Sequence, residues 1–502
     1  MLKFEEISPS EFFYRNKEIA GFENPTKACY TIVRELVENS LDACEICGIL
    51  PDIKVVINET GEGDGINKII KIKVKDNGIG IPKENVPYAF GKVLYGSKFT
   101  LRQHRGIFGL GGKMAILYGQ ITTNNPVKII TSTIGSKLLH FFVMQIDILK
   151  NEPNILRYEE FENKEGWHGL IIEFTFLGNY YNSRKKILEY LFQTSILLPY
   201  MNLVFMDNYG MLVFKRKSSL LPKIPEETLL HPKGIDLEML KRLISINKKE
   251  TLKCFLVKNF QRIGNKIAED IIKQLNLNPD FPVRKLKDED IIKLYNIFKN
   301  YNFKKPSSKS LSPVGENLII GIKEIFKPEF IAFNTRKPSS YEGHPFIVET
   351  AIAYGGNIPI PSDNEINLFR FANKIPLIYD SYNDVSMKVI KDINWNLYKI
   401  DIYKEPIAFF VHICSTKIPY KTLGKEYIAN VPELYKEIEL SLRKNARKLS
   451  AYLNKKRLYE YQKKRYSYLK EYLEKIFDFA CKLSEAKIKI KKEILEGIVS
   501  NE

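Results

Sequence analysis

A chain of 502 residues has room for two to four domains, and its 44% apolar content lets each bury a core, which excludes a disordered protein. Lys and Arg outnumber Asp and Glu by 77 to 59, and the net charge of +18 favours an anionic partner: nucleic acid, nucleotide or an acidic membrane surface. No run of about 18 uncharged apolar residues marks a membrane span, and the opening MLKFEEISPSEFF carries acids where a secretory signal is apolar.

In chain order, Asn24 and Pro25 supply a cap and first turn. Ile32, Val33, Leu36, Val37 and Leu41 then recur at helical spacing, which predicts a helix over 25–48. Cys44 and Cys47 form a lone C-x-x-C. With no second pair and no redox context, they read as two small residues one helical turn apart. Strands are predicted at 53–57 and 69–75, the latter alternating Ile70, Ile72 and Val74 with lysines. A turn at 76–82 and a glycine-rich loop at 105–112 follow, then a helical pattern from Lys113. Further strands are expected within 127–148 and 169–177, with a helix at 182–198. Lys, Pro and Ser crowd residues 215–233, a candidate linker. Residues 235–300 are helical in pattern, 314–425 mixed. Residues 433–496 hold no Gly or Pro and predict one or two long helices, roughly 95 Å if continuous.

Three pieces of the first 115 residues carry chemistry. Glu35 and Asn39 share a helix face one turn apart; a carboxylate there can polarise water and an amide oxygen can ligate Mg²⁺. Asp76-x-Gly78-x-Gly80 follows a strand; its carboxylate can accept from an exocyclic amine, and its glycines admit a flat ring. Gly106-Ile107-Phe108-Gly109-Leu110-Gly111-Gly112-Lys113 opens a helix, whose N-terminal N–H groups suit phosphate. The spacing is not that of a P-loop: Ile107 and Met114 break it.

In this order the pieces resemble the GHKL ATPase superfamily. The wording of ISPSEFFYRNKEIAGFENP, RELVENSLDACEICGILP, DNGIGIP, AFGKVLYGSK, RGIFGLGGKMAILY, EGHPFIVE, ANKIPLIYD and STKIPYKTLGKEYIA is most similar to the B-subunit family of topoisomerase VI, from residue 7 to 429. The resemblance implies an α+β protein. A GHKL-type ATPase sandwich with an N-terminal exchange segment would occupy 1–228, a helix-two-turn-helix insert 229–306, a ribosomal-protein-S5-like transducer 307–455, and a helical tail meeting the DNA-cleaving subunit 456–502. It implies ATP and Mg²⁺ as cofactors. Glu35 would be the general base, Asn39 the Mg²⁺ ligand, and Asp76 the adenine reader. Ser97, Lys98 and Gly106 to Lys113 would contact the nucleotide, and Lys425 would reach the γ-phosphate from the transducer. Lys417 and Lys421 lie near Lys425, and only the resemblance chooses among the three. Leu170 stands where the family carries a threonine that buttresses the aspartate.

Residues 252–275 resemble the helix-two-turn-helix pair, hinged at Gly264, with Lys258, Arg262 and Lys266 facing DNA phosphates or solvent. The tail 436–502 carries 18 Lys/Arg against 10 Asp/Glu, interleaved with tyrosines. No strand-borne D-x-D for DNA cleavage occurs, so cleavage is assigned to a separate A subunit. The implied assembly is a B homodimer formed on ATP binding within an A2B2 heterotetramer acting on double-stranded DNA, cytoplasmic and nucleoid-associated, without membrane contact. Phe4, Ile7, Phe12, Phe13 and Tyr14 would be exchanged between partners. A histidine kinase fits poorly, because the first histidine is His104, within the lid region. The alternative is a MutL-like or chaperone-like GHKL clamp without topoisomerase activity.

Overall fold

Ser8 and Asn24 each accept the backbone N–H three residues on, at 3.1 and 2.8 Å, and so cap two helices, Pro9–Arg15 (α1) and Pro25–Glu45 (α2). Both carry proline in the first turn, where no N–H is needed. The computed structural model describes residues 6–96, 101–106, 109–362, 365–421 and 425–483. Phe4 and the tail beyond 483 lie outside them.

The predicted strand pair is a long hairpin, Asp52–Asp64 (β1) and Asn67–Lys75 (β2). Ile70, Ile72 and Val74 are buried, as their alternation requires, while Lys71 and Lys73 point outward and pair with Glu173 at 2.9 and 4.0 Å. A short helix, Val86–Gly91 (α3), and Gly111–Thr123 (α4) follow. Residues 127–148 resolve into two strands, Val127–Ser132 (β3) and Leu138–Asp147 (β4). Glu152–Glu162 (β5), Gly169–Gly178 (β6), the helix Tyr180–Leu197 (α5), Asn202–Asp207 (β7) and Gly210–Phe214 (β8) complete the unit. The sheet order is β5-β4-β3-β6-β2-β1-β7-β8, antiparallel except between β1 and β7. Side chains of α2, α4 and α5 share one core with those of β1, β2 and β6.

The Pro/Ser-rich stretch after β8 is extended and leads to four helices, Leu237–Ile246 (α6), Leu252–Asn259 (α7), Asn265–Gln274 (α8) and Asp288–Asn300 (α9). They enclose their own core around Phe255, Phe260 and Phe298. The connection between α7 and α8 contains Gly264, as expected. Its left-handed residue is Arg262, at φ 67°, whereas Gly264 is extended and precedes α8. Arg262 is held by the Lys305 carbonyl at 2.8 Å and Lys258 by Glu250 at 3.0 Å.

After the helix Glu316–Phe326 (α10), a second sheet forms from Phe330–Thr335 (β9), Ser339–Tyr341 (β10), His344–Tyr354 (β11), Asn367–Ala372 (β12) and Ile375–Pro376 (β13), followed by the helix Val385–Asp392 (α11) and Ile407–Ser415 (β14). Its order is β10-β11-β14-β12-β13, with β9 also on β11. Every residue of β14 is buried, and its apolar run from Ile407 to Val411 fits a strand covered on both faces. Ala408 and Phe410 join α10 in the core of the first unit; Phe409, Val411 and Ile413 meet α11 and the last helix.

That helix, Pro432–Leu483 (α12), is continuous over 52 residues, about 78 Å. Leu434, Ile438, Leu442, Leu449 and Leu453 bury its first half; Tyr459, Tyr461, Tyr468 and Tyr472 leave its second half exposed. Among the described residues no helix is long and apolar enough to cross a membrane.

Candidate nucleotide site

Spacing of three to four residues places Glu35, Glu38, Asn39, Asp42 and Glu45 along one stripe of α2. Glu35 is buried, with Arg34 at 2.8 Å from its Oε1. Burial opposes the charge on Arg34, but Glu35, Tyr30 and Glu38 more than offset it and raise its pKa. Lys425 arrives from the loop after β14 with its Nζ 3.5 Å from Glu35 Oε1 and 3.4 Å from Glu38 Oε2. Burial raises the Glu38 carboxyl, against the pull of Lys425. Of the three lysines the sequence left open, Lys425 reaches this stripe. Lys417 pairs with Glu342 at 3.5 Å, and Lys421 is exposed.

The start of α4 abuts the same stripe. A Cβ added to Gly111 would overlap Glu35 Oε2, and one on Gly112 would stand 2.9 Å from Asn39 Nδ2. The paired glycines thus let a helix N-terminus, whose first N–H groups have no intrahelical partner, sit directly on the carboxylate and the amide. Gly106 and Gly109 lie before it, Gly109 in the left-handed region at φ 60°, and Leu110 precedes the first turn. Ser97, Lys98, Ile107, Phe108 and Gly424 lie outside the described residues. The Lys113 ammonium is turned onto the carbonyls of Lys92, at 2.7 Å, and Tyr95. Burial lowers its pKa to about 8.

Asp76 ends β2. Its Oδ1 accepts the Gly78 N–H at 2.9 Å and the Leu170 N–H at 3.1 Å, and its Oδ2 accepts the Ser40 hydroxyl at 2.9 Å. Burial pushes its carboxyl up, against those three donors. Leu170, in place of the family threonine, contributes its backbone, and the hydroxyl comes from Ser40 on α2. Thr175 is engaged elsewhere, with Thr123 at 3.0 Å. Gly80, at φ 73°, passes so close to the Ser132 carbonyl that a side chain would not fit.

These elements surround a cavity of about 690 Å³ lined by Asn39, Asp76, Phe90, Lys113 and Leu170, among others. Asn39 and Asp76, named from their motifs, are thus brought together with the described part of the glycine-rich loop, and Glu35 lies behind Gly111. Sequence reasoning missed Ser40, Arg34, Arg105 and Lys374. Ser40 and Arg34 sit inside the quoted RELVENS run and Arg105 opens the glycine-rich loop, so position beside a motif was their only signal.

Known proteins resemble this chain along most of its length. Residues 24–134 match the family described as histidine kinase-, DNA gyrase B- and HSP90-like ATPase. Residues 306–465 match the transducer family of the topoisomerase VI B subunit. Over 473 residues the chain is 46% identical to the type 2 DNA topoisomerase 6 B subunit of Saccharolobus shibatae, covering 93% of this chain and 88% of that one. It matches the corresponding protein of Saccharolobus solfataricus to the same extent. Among solved structures, the ATPase region of Saccharomyces cerevisiae topoisomerase II aligns at 12% identity with a TM-score of 0.41, over 87% of this chain and 95% of that one.

Proposed function

The chain belongs to the topoisomerase VI B-subunit family, and from that premise we infer that it is the ATP-binding and ATP-hydrolysing subunit of a type IIB DNA topoisomerase. Its substrate is double-stranded DNA, and a DNA-cleaving A subunit is its partner. The observation that carries this reading is the meeting at Glu35 of three distant segments: α2, the Gly111–Gly112 helix start and Lys425.

Each residue then has a role. Glu35 accepts a proton from the attacking water, a contribution of about 10²–10⁴-fold. Asp76 accepts from the adenine amine. The backbone of Gly106, Gly109, Leu110, Gly111 and Gly112 donates to the triphosphate, with Lys113 adding charge; Ser97, Lys98, Ile107 and Phe108 belong to the same contact set. Asn39 would hold Mg²⁺. Its amide offers the hard oxygen such an ion requires, and it lies against Gly112, where the phosphates meet the helix start. Bound there, Mg²⁺ would neutralise phosphate charge. Lys425 meets the γ-phosphate, which draws it from Glu35 and Glu38 and leaves Glu35 a freer base.

The chain divides into an ATPase domain (1–228), a helix-two-turn-helix domain (229–306), a transducer (307–455) and a tail (456–502). Two copies close around one DNA segment when ATP binds, exchanging N-terminal segments, and the A subunit passes that segment through a double-strand break in an A2B2 assembly in the cytoplasm, on the nucleoid. The exposed basic, tyrosine-rich half of α12 supports a contact with the A subunit. The transducer match favours this over a MutL-like clamp.

The test is co-expression with the A subunit and a relaxation assay on supercoiled DNA. Relaxation should require ATP and vanish in Glu35→Gln, which should still bind a non-hydrolysable analogue. Relaxation that ignores ATP, or normal turnover by Glu35→Gln, would refute the reading.

A further inference from the structure

Ten residues beyond Glu35, about 15 Å along α2, the acidic stripe ends at Glu45. This carboxylate takes three donors: Arg105 at 2.5 Å, the Tyr200 hydroxyl at 2.7 Å and Lys374 at 2.9 Å. Arg105 also holds Asp42, at 2.8 Å. Burial opposes ionisation of Glu45, but Arg105 and Lys374 outweigh it and lower the carboxyl to about 2, so Glu45 is ionised near neutrality.

Lys374 comes from the turn between β12 and β13, in the second sheet. Asn373 and Lys374 are both left-handed there, at φ 48° and 68°, a conformation that costs energy outside glycine and persists only where its surroundings impose it. Here they do. The Asn373 side chain exchanges two hydrogen bonds with the Ser415 backbone, both at 2.8 Å. The Lys374 N–H donates to His412 Nε2 at 3.0 Å, so His412 carries its proton on Nδ1 and donates it to Glu349 at 2.8 Å. Glu349 further accepts the N–H groups of Val314 and Gly315 at 2.8 and 2.9 Å. Glu349, His412 and Cys414 are close enough to share a metal, but these contacts already occupy the carboxylate and both ring nitrogens. The cluster is instead the footing of the turn.

From that footing two side chains reach the arm that leads into the glycine-rich loop. The Asn373 amide also donates to the His104 carbonyl at 3.1 Å. Lys374 Nζ bridges Ser312 Oγ, at 2.8 Å, to Glu45, and Glu45 holds Arg105. Ser312 in turn donates its N–H to Gln103 Oε1 at 2.7 Å. Gln103 and His104 are thus tied directly to the segment before the second sheet and to the sheet itself, and Arg105 is tied to it through Glu45 and Lys374.

We propose that Lys374 is a second transducer lysine acting on the nucleotide site: a positioning residue that, through Glu45 and Arg105, fixes the 101–106 arm. It works at the opposite end of the α2 stripe from Lys425, so the transducer grips α2 at two points. Lys425 answers the γ-phosphate, whereas Lys374 sets the arm before nucleotide arrives. The proposal rests on the reading of the cavity as a nucleotide site.

The test is hydrogen exchange on the full chain without nucleotide, followed by steady-state ATP hydrolysis. In Lys374→Met, amides of 101–106 should exchange at least tenfold faster while β11 and β14 are unchanged. KM for ATP should rise about tenfold with kcat within about threefold, and Lys374→Arg should restore most of the loss. Glu45→Gln should give the same pattern, and the double variant should be no worse than the worse single one. Unchanged exchange at 101–106, or losses that multiply in the double variant, would overturn the proposal. If Lys374→Met loosens β11 and β14 as well, Glu45→Gln decides alone by the same criteria. Failure of the unaltered chain to bind an ATP analogue would instead defeat the nucleotide reading and leave the exchange result standing.

Discussion

Gly111 stands so close to Glu35 that a Cβ at position 111 would overlap the carboxylate's Oε2. The first residue of α4 and the proposed base are thus in mutual contact, and a side chain at position 111 would displace the carboxylate. One at position 112 would crowd Asn39.

Gly111→Ala should therefore separate folding from chemistry. The atoms in the way belong to the outer part of a side chain and not to backbone, so melting should shift by only a few degrees. The carboxylate must move, and small misplacements at a reacting centre cost about 10²-fold. Hydrolysis measured beside a thermal melt checks this: loss of both together, or of neither, is the contrary outcome.

Asp76→Asn should weaken analogue binding by at least tenfold, because an amide would place a donor among the donors that Gly78, Leu170 and Ser40 already aim at it. Ser40→Ala should cost less than tenfold, because the Gly78 and Leu170 N–H groups still hold the carboxylate. Calorimetry with the analogue ranks them, and equal affinity of Asp76→Asn and the unaltered chain would remove Asp76 from the site.

The contrast between Ser40 and Lys425 shows how far the sequence was legible. Glu35, Asn39 and Ser40 lie on one helix, and local spacing fixes their shared face. Asp76 follows an alternating strand into an unmistakable turn. Lys425 meets Glu35 across 390 positions, and no local pattern carries a contact that long; the resemblance alone selected it. Ser40 was missed because a hydroxyl expected at position 170 is supplied from another element. β5 was missed because it is an edge strand, largely exposed, and shows no period-two burial. The α7–α8 connection was legible at Gly264, which caps α8, but the left-handed Arg262 within it, anchored on the Lys305 carbonyl, carries no sequence signal.

Lys113 gives a pH dependence. Its pKa in the folded chain is lowered to about 8 from 10.5, so the unfolded chain binds more protons between those values and folding stability rises with pH across that window. Nucleotide binding should run the other way. The ammonium available to phosphate is lost as pH rises through 8, so analogue affinity should fall about tenfold from pH 7 to pH 9. Lys113→Arg should flatten the profile. A flat profile in the unaltered chain would mean that Lys113 stays on the Lys92 and Tyr95 carbonyls when nucleotide binds.

Deleting residues 1–15 tests the exchange of N-terminal segments. Phe13 packs on the first core, while Phe12 and Tyr14 remain 41% and 47% exposed, a surface a second copy would cover. Sedimentation should show an analogue-induced dimer for the full chain and a monomer for the truncated one, with analogue affinity retained. A full-strength dimer of the truncated chain would exclude the exchange.

The link between Lys425 and Glu35 is tested most directly by measuring ATP hydrolysis and DNA relaxation together in a complex of Lys425→Ala with the A subunit. A lysine that meets the γ-phosphate only in the reacting state adds to turnover more than to affinity. Hydrolysis should slow by at least tenfold, relaxation should fall further than hydrolysis, and analogue affinity should change by less than about threefold. Hydrolysis and relaxation both at the unaltered rate would contradict the assignment of Lys425.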